Sequence, residues 1–265
     1  MSDSRFASAT TPNSQSHLEV SDDWSQGRGA YGGVAAAAMT RVMSKELGRP
    51  ECTLRSLTVH CCAPLMPGQA TVTAEPIRVG SRVAHMRALV VQHAKVIAHA
   101  TASFGSERQF DMAWAEQAMP KVPPAESLPS IPISLAGGPQ FGQFFDYRFT
   151  GEHLPLSGSH TARVSVWIRH SDCPIVDVPH AVGLLDAGPP GILSRLSSVR
   201  PMASVDFRMQ LFEPLPMKDA DPADHWLFDA HTRMLGDGYA EQLMWLYSPD
   251  GRPVGTTQQL IAVLG

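Results

Sequence analysis

The 265-residue sequence predicts an α+β protein built from two tandem repeats, each a helix wrapped by an antiparallel sheet. Three observations predict it. One helix-period run of small residues is followed by four strand-like runs separated by short turns. The same order of elements recurs in the second half. A proline-containing corner falls after the first strand that follows each helix, which makes the recurrence an internal duplication.

Residues 1–20 are rich in Ser, Thr, Asn and Asp and read as a flexible tail. Gly32 and Gly33 then open the first helix, with apolar positions at 34, 35, 38, 39, 42 and 43, and Gly48 and Pro50 close it. Strand runs follow at 54–63, 70–79, 82–92 and 95–104. Residues 111–140 hold Pro120, Pro123, Pro124, Pro129, Pro132 and Pro139, which exclude a helix or central strand and read as a linker. The linker divides a repeat at 21–110 from a second at 141–265. In the latter a strand at 161–169 precedes a short apolar helix at 178–187, stopped by Gly188-Pro189-Pro190. Strand runs follow at 202–212, 225–235, 239–247 and 254–264, the last two joined by the turn Ser248-Pro249-Asp250-Gly251. Ala63-Pro64-Leu65-Met66-Pro67 in the first half answers Glu213-Pro214-Leu215-Pro216 in the second. A helix laid on a meandering sheet is the hotdog arrangement, so the chain reads as a double hotdog. Ala35, Ala36, Ala37 and Ala38 let the sheet approach the first helix closely.

Composition narrows the function. The chain is 43% hydrophobic, too apolar for disorder, and its net charge is −4, with no basic excess for nucleic acid or an anionic membrane. No apolar run approaches the roughly 20 residues that span a bilayer, and the polar N-terminus does not resemble a secretory signal. A cytoplasmic protein is expected. Cys52, Cys61, Cys62 and Cys173 lack metal-ligand spacing and read as reduced thiols; His60 beside Cys61 and Cys62 has no second ligand cluster, so no metal is expected. Gly27-Arg28-Gly29-Ala30-Tyr31-Gly32 fits a dinucleotide fingerprint in letters, but no buried strand precedes it and no βαβ unit follows. No GxSxG nucleophile elbow is present.

With those readings set aside, the chain resembles the bacterial acyl-CoA thioesterase II family, the TesB-like double hotdogs. In the first half the resemblance is carried by Gly32-Gly33-Val34, Val59-His60 with Pro64 to Gly68, and His99 to Phe104. In the second it is carried by Leu185-Asp186, Ala203-Ser204-Val205-Asp206 before Phe212-Glu213-Pro214, Asp250-Gly251, and Thr257-Gln258-Gln259. It runs from about Trp24 to Leu264. It implies hydrolysis of an acyl-CoA, without a cofactor, by a water held between an Asp, a Thr or Ser, and a Gln. Carried over by position these are Asp186, Ser204 and Gln259, with Ser in place of the more usual Thr. The connection from Gly188 to Pro201 looks shorter than the family's, which bears on the shape of the acyl site.

The residues speak to this independently. Asp186 near a helix C-terminus faces the negative end of the helix dipole, an unfavourable placement of about 0.3–1 kcal/mol. Such a broken local rule often marks a site, and partial burial would raise its pKa toward that of a useful base. Simple alternation puts Ser204 and Asp206 on one strand face, opposite Phe207. Asp206 reads as a second carboxylate, a substrate contact or a structural acceptor. Only one of Gln258 and Gln259 can face the site. Gly32 and Gly33, at a helix N-terminus, are candidate substrate contacts whose N–H groups would suit an oxyanion. Two other readings stay open: a non-catalytic acyl-CoA or ligand-binding hotdog, and a hotdog enoyl-CoA hydratase using His180 with Asp186. Arg28, Arg78, Arg82 and Arg87 are equally available for CoA phosphates. Exposed sheet edges lead to the expectation of a homodimer or homotetramer.

Overall fold

The computed structural model describes residues 4–151 and 153–264. In chain order the principal elements are α1 (Arg5–Thr10), β1 (His17–Val20), α2 (Gly32–Leu47), β2 (Cys52–Cys61), β3 (Gly68–Val79), β4 (Val83–Gln92) and β5 (Lys95–Ser106). The second half adds β6 (Phe145–Phe149), β7 (Arg163–His170), α3 (Val178–Ala187), β8 (Met202–Leu211), β9 (Trp226–Gly236), β10 (Tyr239–Tyr247) and β11 (Pro253–Val263). The eleven strands form one sheet in the order β1-β3-β4-β5-β2-β8-β11-β10-β9-β7-β6. The two repeats join at its centre, where β2 and β8 pair antiparallel with Val59 opposite Phe207 and His60 opposite Asp206. This is the double hotdog: the sheet curves around α2 and α3, which pack against each other on its inner face.

Small residues make that packing possible. Ala36, Ala37, Ala38 and Met39 of α2 are fully buried. The helix shares one core with inward strand residues such as Val59, Val72, Met86 and Val90, all essentially buried. The helix ends at Gly48, whose φ of 61° is left-handed and whose N–H bonds Ser44 O. Its start differs in kind. Tyr31 is the N-cap residue and supplies no side-chain hydrogen bond to the first turn. The exposed N–H groups there are met by a residue far away in sequence, described below.

Two expectations are corrected. The segment 1–20 is not a loose tail. Residues 1–3 lie outside the described residues, but Arg5–Thr10 form a helix and His17–Val20 an edge strand paired with β3. One aromatic side chain anchors the helix. Phe6 is 1% exposed and its ring lies 5.7 Å from Trp24, 4.8 Å from His170 and 5.5 Å from His180. A single anchor in polar surroundings leaves no periodic trace. Nor is 111–140 merely a spacer. Met119, Val122, Ala125 and Leu128 cover the outer face of the second half, against Trp167, Leu227, Tyr247 and Trp245. Trp167 Nε1 donates to Pro123 O at 2.9 Å and the Ile131 N–H to Tyr147 O at 2.8 Å. The prolines exclude regular structure there without excluding order.

Candidate active site

Asp186 lies one residue before the end of α3. The start of this helix is set locally: Asp177 is the N-cap and accepts from the His180 N–H at 2.9 Å, with a proline in the first turn. Its end is set by tertiary contacts, with Tyr147 Oη donating to Ala187 O at 3.0 Å. Leu185 on the same turn packs toward β11, its Cδ1 3.3 Å from where a Cβ on Gly255 would stand.

The Asp186 carboxylate meets the N-terminus of α2 and accepts a hydrogen bond from the Gly33 N–H. This is the partner that Tyr31 does not supply. The placement that looked unfavourable against the dipole of α3 is offset by the positive end of α2. Glycine at position 32 is required by this approach, since a Cβ there would lie 2.8 Å from Asp186 Oδ2 and 3.4 Å from Phe207 Cε1. Asp186 as a whole residue is half-buried. The protein packed around it nevertheless strips hydration from the charged form. Burial pushes the carboxyl up to about 7, against the downward pull of the Gly33 hydrogen bond.

Ser204 and Gln259 come together on the neighbouring strands β8 and β11. Gln259 Nε2 donates to Ser204 Oγ at 2.5 Å. Gln259 is 7% exposed and sits directly across from Phe207, the residue that touches Gly32 beside Asp186. Gln258 points the other way, where its Nε2 reaches Glu241 Oε1 at 3.3 Å. Strand parity thus separates the two glutamines.

Parity fails at Ser204. The pairing of β8 with β11 shifts register between Ser204 and Asp206, a β-bulge that inserts one residue on the β8 side. Ser204 therefore turns inward to Gln259, while Asp206 stands opposite His60 on the other face. The expected grouping of Asp206 with Ser204 is corrected on this ground: the structure does not bring Asp206 to the Ser204–Gln259 pair. The Gly33 expectation is also revised. Its N–H is engaged by Asp186, and its Cα faces the Tyr31 ring, so it acts on the carboxylate rather than standing ready for an oxyanion.

Other sequence candidates resolve in geometric terms. Cys61 borders the site, and burial, followed by the charge of Asp186, pushes its thiol up to about 12, so it stays protonated. The hydratase reading needs His180 beside Asp186. Instead His180 Nδ1 contacts Asp177 Oδ1 at 2.5 Å and Nε2 contacts Ser4 Oγ at 2.8 Å. That Ser-His-Asp sequence of contacts resembles a hydrolase triad in order only. Ser4 is 2% exposed and caps α1 by accepting from the Ala7 N–H, so the three tie α1 to α3. Among the described residues no group of His, Cys, Asp and Glu could hold a metal ion, and no helix is long and apolar enough to cross a membrane.

Residues 20–105 match the family of the acyl-CoA thioesterase N-terminal domain, and residues 115–263 that of the acyl-CoA thioesterase C-terminal domain. The chain belongs to the acyl-CoA thioesterase family. It is a thioester hydrolase of the TesB-like kind. Solved structures agree on the fold. A hot dog fold protein of unknown function from Alicyclobacillus acidocaldarius is 25% identical with a TM-score of 0.84, covering 98% of each chain. The acyl-CoA thioesterase II TesB2 of Mycobacterium marinum is 18% identical with a TM-score of 0.76, covering 97% of each chain. No match was found among curated proteins.

The site makes a first prediction for this thioesterase. Gly32→Ala places a methyl group against the Asp186 carboxylate while leaving the helix free to form. Turnover is expected to fall about 10- to 100-fold, since small displacements at a reacting group are that costly. The melting temperature should change by only a few degrees. Unchanged turnover in steady-state assays would show that the carboxylate position is not critical.

Proposed function

We propose that this thioesterase hydrolyses acyl-CoA by direct attack of a water held by Asp186, Ser204 and Gln259. The observation that carries the reading is Asp186 itself: a carboxyl raised to about 7, seated on a helix N-terminus, and an inward serine–glutamine pair on the strands of the same half supports it. A carboxylate with that pKa is ionised often enough at neutral pH to accept a proton, and basic enough to take one from water.

Asp186 takes the proton as the water oxygen bonds to the thioester carbonyl carbon. The carbonyl electrons move onto oxygen. They return as the C–S bond breaks, and the CoA sulfur leaves as thiolate or, protonated, as thiol. Ser204 and Gln259 supply neutral hydrogen-bonding groups that orient water without competing as charges. The N-terminal dipole of α2, acting through the Gly33 N–H, favours the ionised Asp186 before reaction.

The test is free-thiol release from a panel of acyl-CoAs, short to long and branched, with Ser204→Ala alongside the wild type. Hydrolysis of at least one member is expected, with kcat reduced about 10-fold or more in Ser204→Ala, the order expected when an orienting hydroxyl is lost. Saturable acyl-CoA binding without hydrolysis across the panel would overturn the reading and make the chain a ligand-binding hotdog.

A further inference from the structure

The hydrogen-bond chain does not stop at Gln259. Gln259 Oε1 accepts from Gln242 Nε2 at 3.4 Å. Gln242 Oε1 accepts from the Gly191 backbone N–H at 2.6 Å and from Thr232 Oγ1 at 3.2 Å. The remaining Gln242 Nε2 contact is Met244 Sδ at 3.1 Å. Gln242 is 1% exposed and stands directly across from Gln259 on the neighbouring strand β10.

The chain has a direction, and its origin is a group that cannot reverse. A backbone N–H only donates. The Gly191 N–H therefore holds the carbonyl end of Gln242 toward itself and turns the amide NH₂ toward Gln259. That NH₂ in turn holds the carbonyl end of Gln259, so the NH₂ of Gln259 faces Ser204. If Gln259 alone were turned over, two NH₂ groups would oppose each other in a buried place, an arrangement costing about 1–3 kcal/mol per orphaned donor. Gly191 is built for its part. A Cβ there would stand 2.7 Å from Ala162 O, 2.8 Å from Ala230 O and 2.9 Å from Thr232 N, so only glycine admits the backbone this close. The turn that starts at Gly191 is secured by Ser194 Oγ, which donates within reach of Thr161 O at 2.7 Å and Gly191 O at 2.9 Å.

We propose that Gln242 is a positioning residue. It sets the direction of the chain from Gly191 through Gln259 to Ser204, so that Ser204 receives its hydrogen bond from Gln259 and keeps its own hydroxyl proton for the reacting oxygen atoms. The inference rests on the proposed hydrolysis. Gln242 touches neither substrate nor water in this scheme and acts only through Gln259. Charge plays no part: an amide transmits direction while remaining neutral, which suits a position with almost no access to solvent.

Gln242→Glu keeps the shape and, once ionised at the alkaline end of the assay range, presents only acceptors toward Gln259, which invites Gln259 to turn over. Gln242→Met keeps the volume and removes both functions. These variants, Gln259→Ala and the double variant Gln242→Met/Gln259→Ala are compared with the wild type by kcat, KM and thermal melting. For both Gln242 variants kcat is expected to fall about 10-fold or more, with KM within about 2-fold, as when a preorganised donor is lost. In the Gln259→Ala background, Gln242→Met should add less than about a 2-fold further loss, because both changes remove one chain. Losses that multiply in the double variant, an effect confined to KM, or an unchanged kcat would overturn the proposal. So would loss of the folded state in both single variants, which would make Gln242 a structural residue. If only Gln242→Glu fails to fold, Gln242→Met carries the test. A wild type inactive on every acyl-CoA would instead overturn the hydrolysis on which the inference rests.

Discussion

Replacing Asp186 by Asn is expected to lower acyl-CoA hydrolysis by about 100-fold or more, the usual contribution of a general base. Wild-type activity should rise with pH through about 7 as the carboxyl ionises, and the variant's residual activity should lack that rise. The same substitution should raise thermal stability at pH 8. In an unfolded chain the carboxyl loses its proton near 3.8, whereas in the fold it holds it to about 7. Between these values the native state binds the extra proton, so this group's contribution to stability falls as pH rises from 3.8 to about 7 and is flat above. The penalty above pH 7 is at most about 4 kcal/mol, and smaller to the extent that water reaches the half-buried carboxyl. Asn carries no such penalty. Loss of activity with a raised melting temperature is the signature of a carboxylate kept for chemistry. A variant that hydrolyses acyl-CoA at the wild-type rate would exclude Asp186 as the base.

Phe6→Ala is expected to destabilise the fold by about 3–5 kcal/mol, the range for truncating a fully buried phenylalanine. The ring is enclosed by Trp24, Tyr31, His170 and His180, and it lies against Gly183 of α3, where a Cβ would come within 2.5 Å of its tip. The Ser4–His180 and His180–Asp177 contacts sit on the same junction, so the loosened α1 would take part of the α3 N-cap with it. His170 is held neutral there, its pKa pushed down to about 3 by burial and the nearby His180, and a cavity that admitted water would relieve that constraint. Urea denaturation of the variant beside the wild type measures the effect. A change below about 1 kcal/mol would mean that α1 contributes little to the stability of the fold.

Much of the fold was legible because hydrophobic periodicity is a local property. The run expected at 178–187 is α3 without adjustment, and that at 239–247 is β10. The other long strands start and stop within one or two residues of expectation. The first helix begins at Gly32, as the two glycines led one to expect, although no side-chain cap marks its start. An uncapped start on two glycines was itself a signal that a distant group would come to the N–H groups. The short edge strands β1 and β6 carry too few residues for alternation to register. The candidate site was legible in part. Asp186 drew attention by violating a local rule, and the tertiary contact with α2 explains the violation. Gln242 was missed, although a polar residue between inward Ala240 and Met244 was the available clue.

The sequence alone determined the duplication, the order of helix and strands in each half, and the candidate set of Asp186, Ser204 and Gln259. The duplication and the order of elements follow from spacing along the chain; the candidate set is what the resemblance to the thioesterase family implies. Only the tertiary structure decided that the Gly33 N–H belongs to Asp186, that Ser204 and Asp206 part to opposite faces, and that Gln242 stands behind Gln259. Each of these depends on groups between 17 and 153 residues apart, or on a single inserted residue in β8. A strand has a period of two, so one extra residue reverses the face of everything beyond it, and no local pattern announces that reversal.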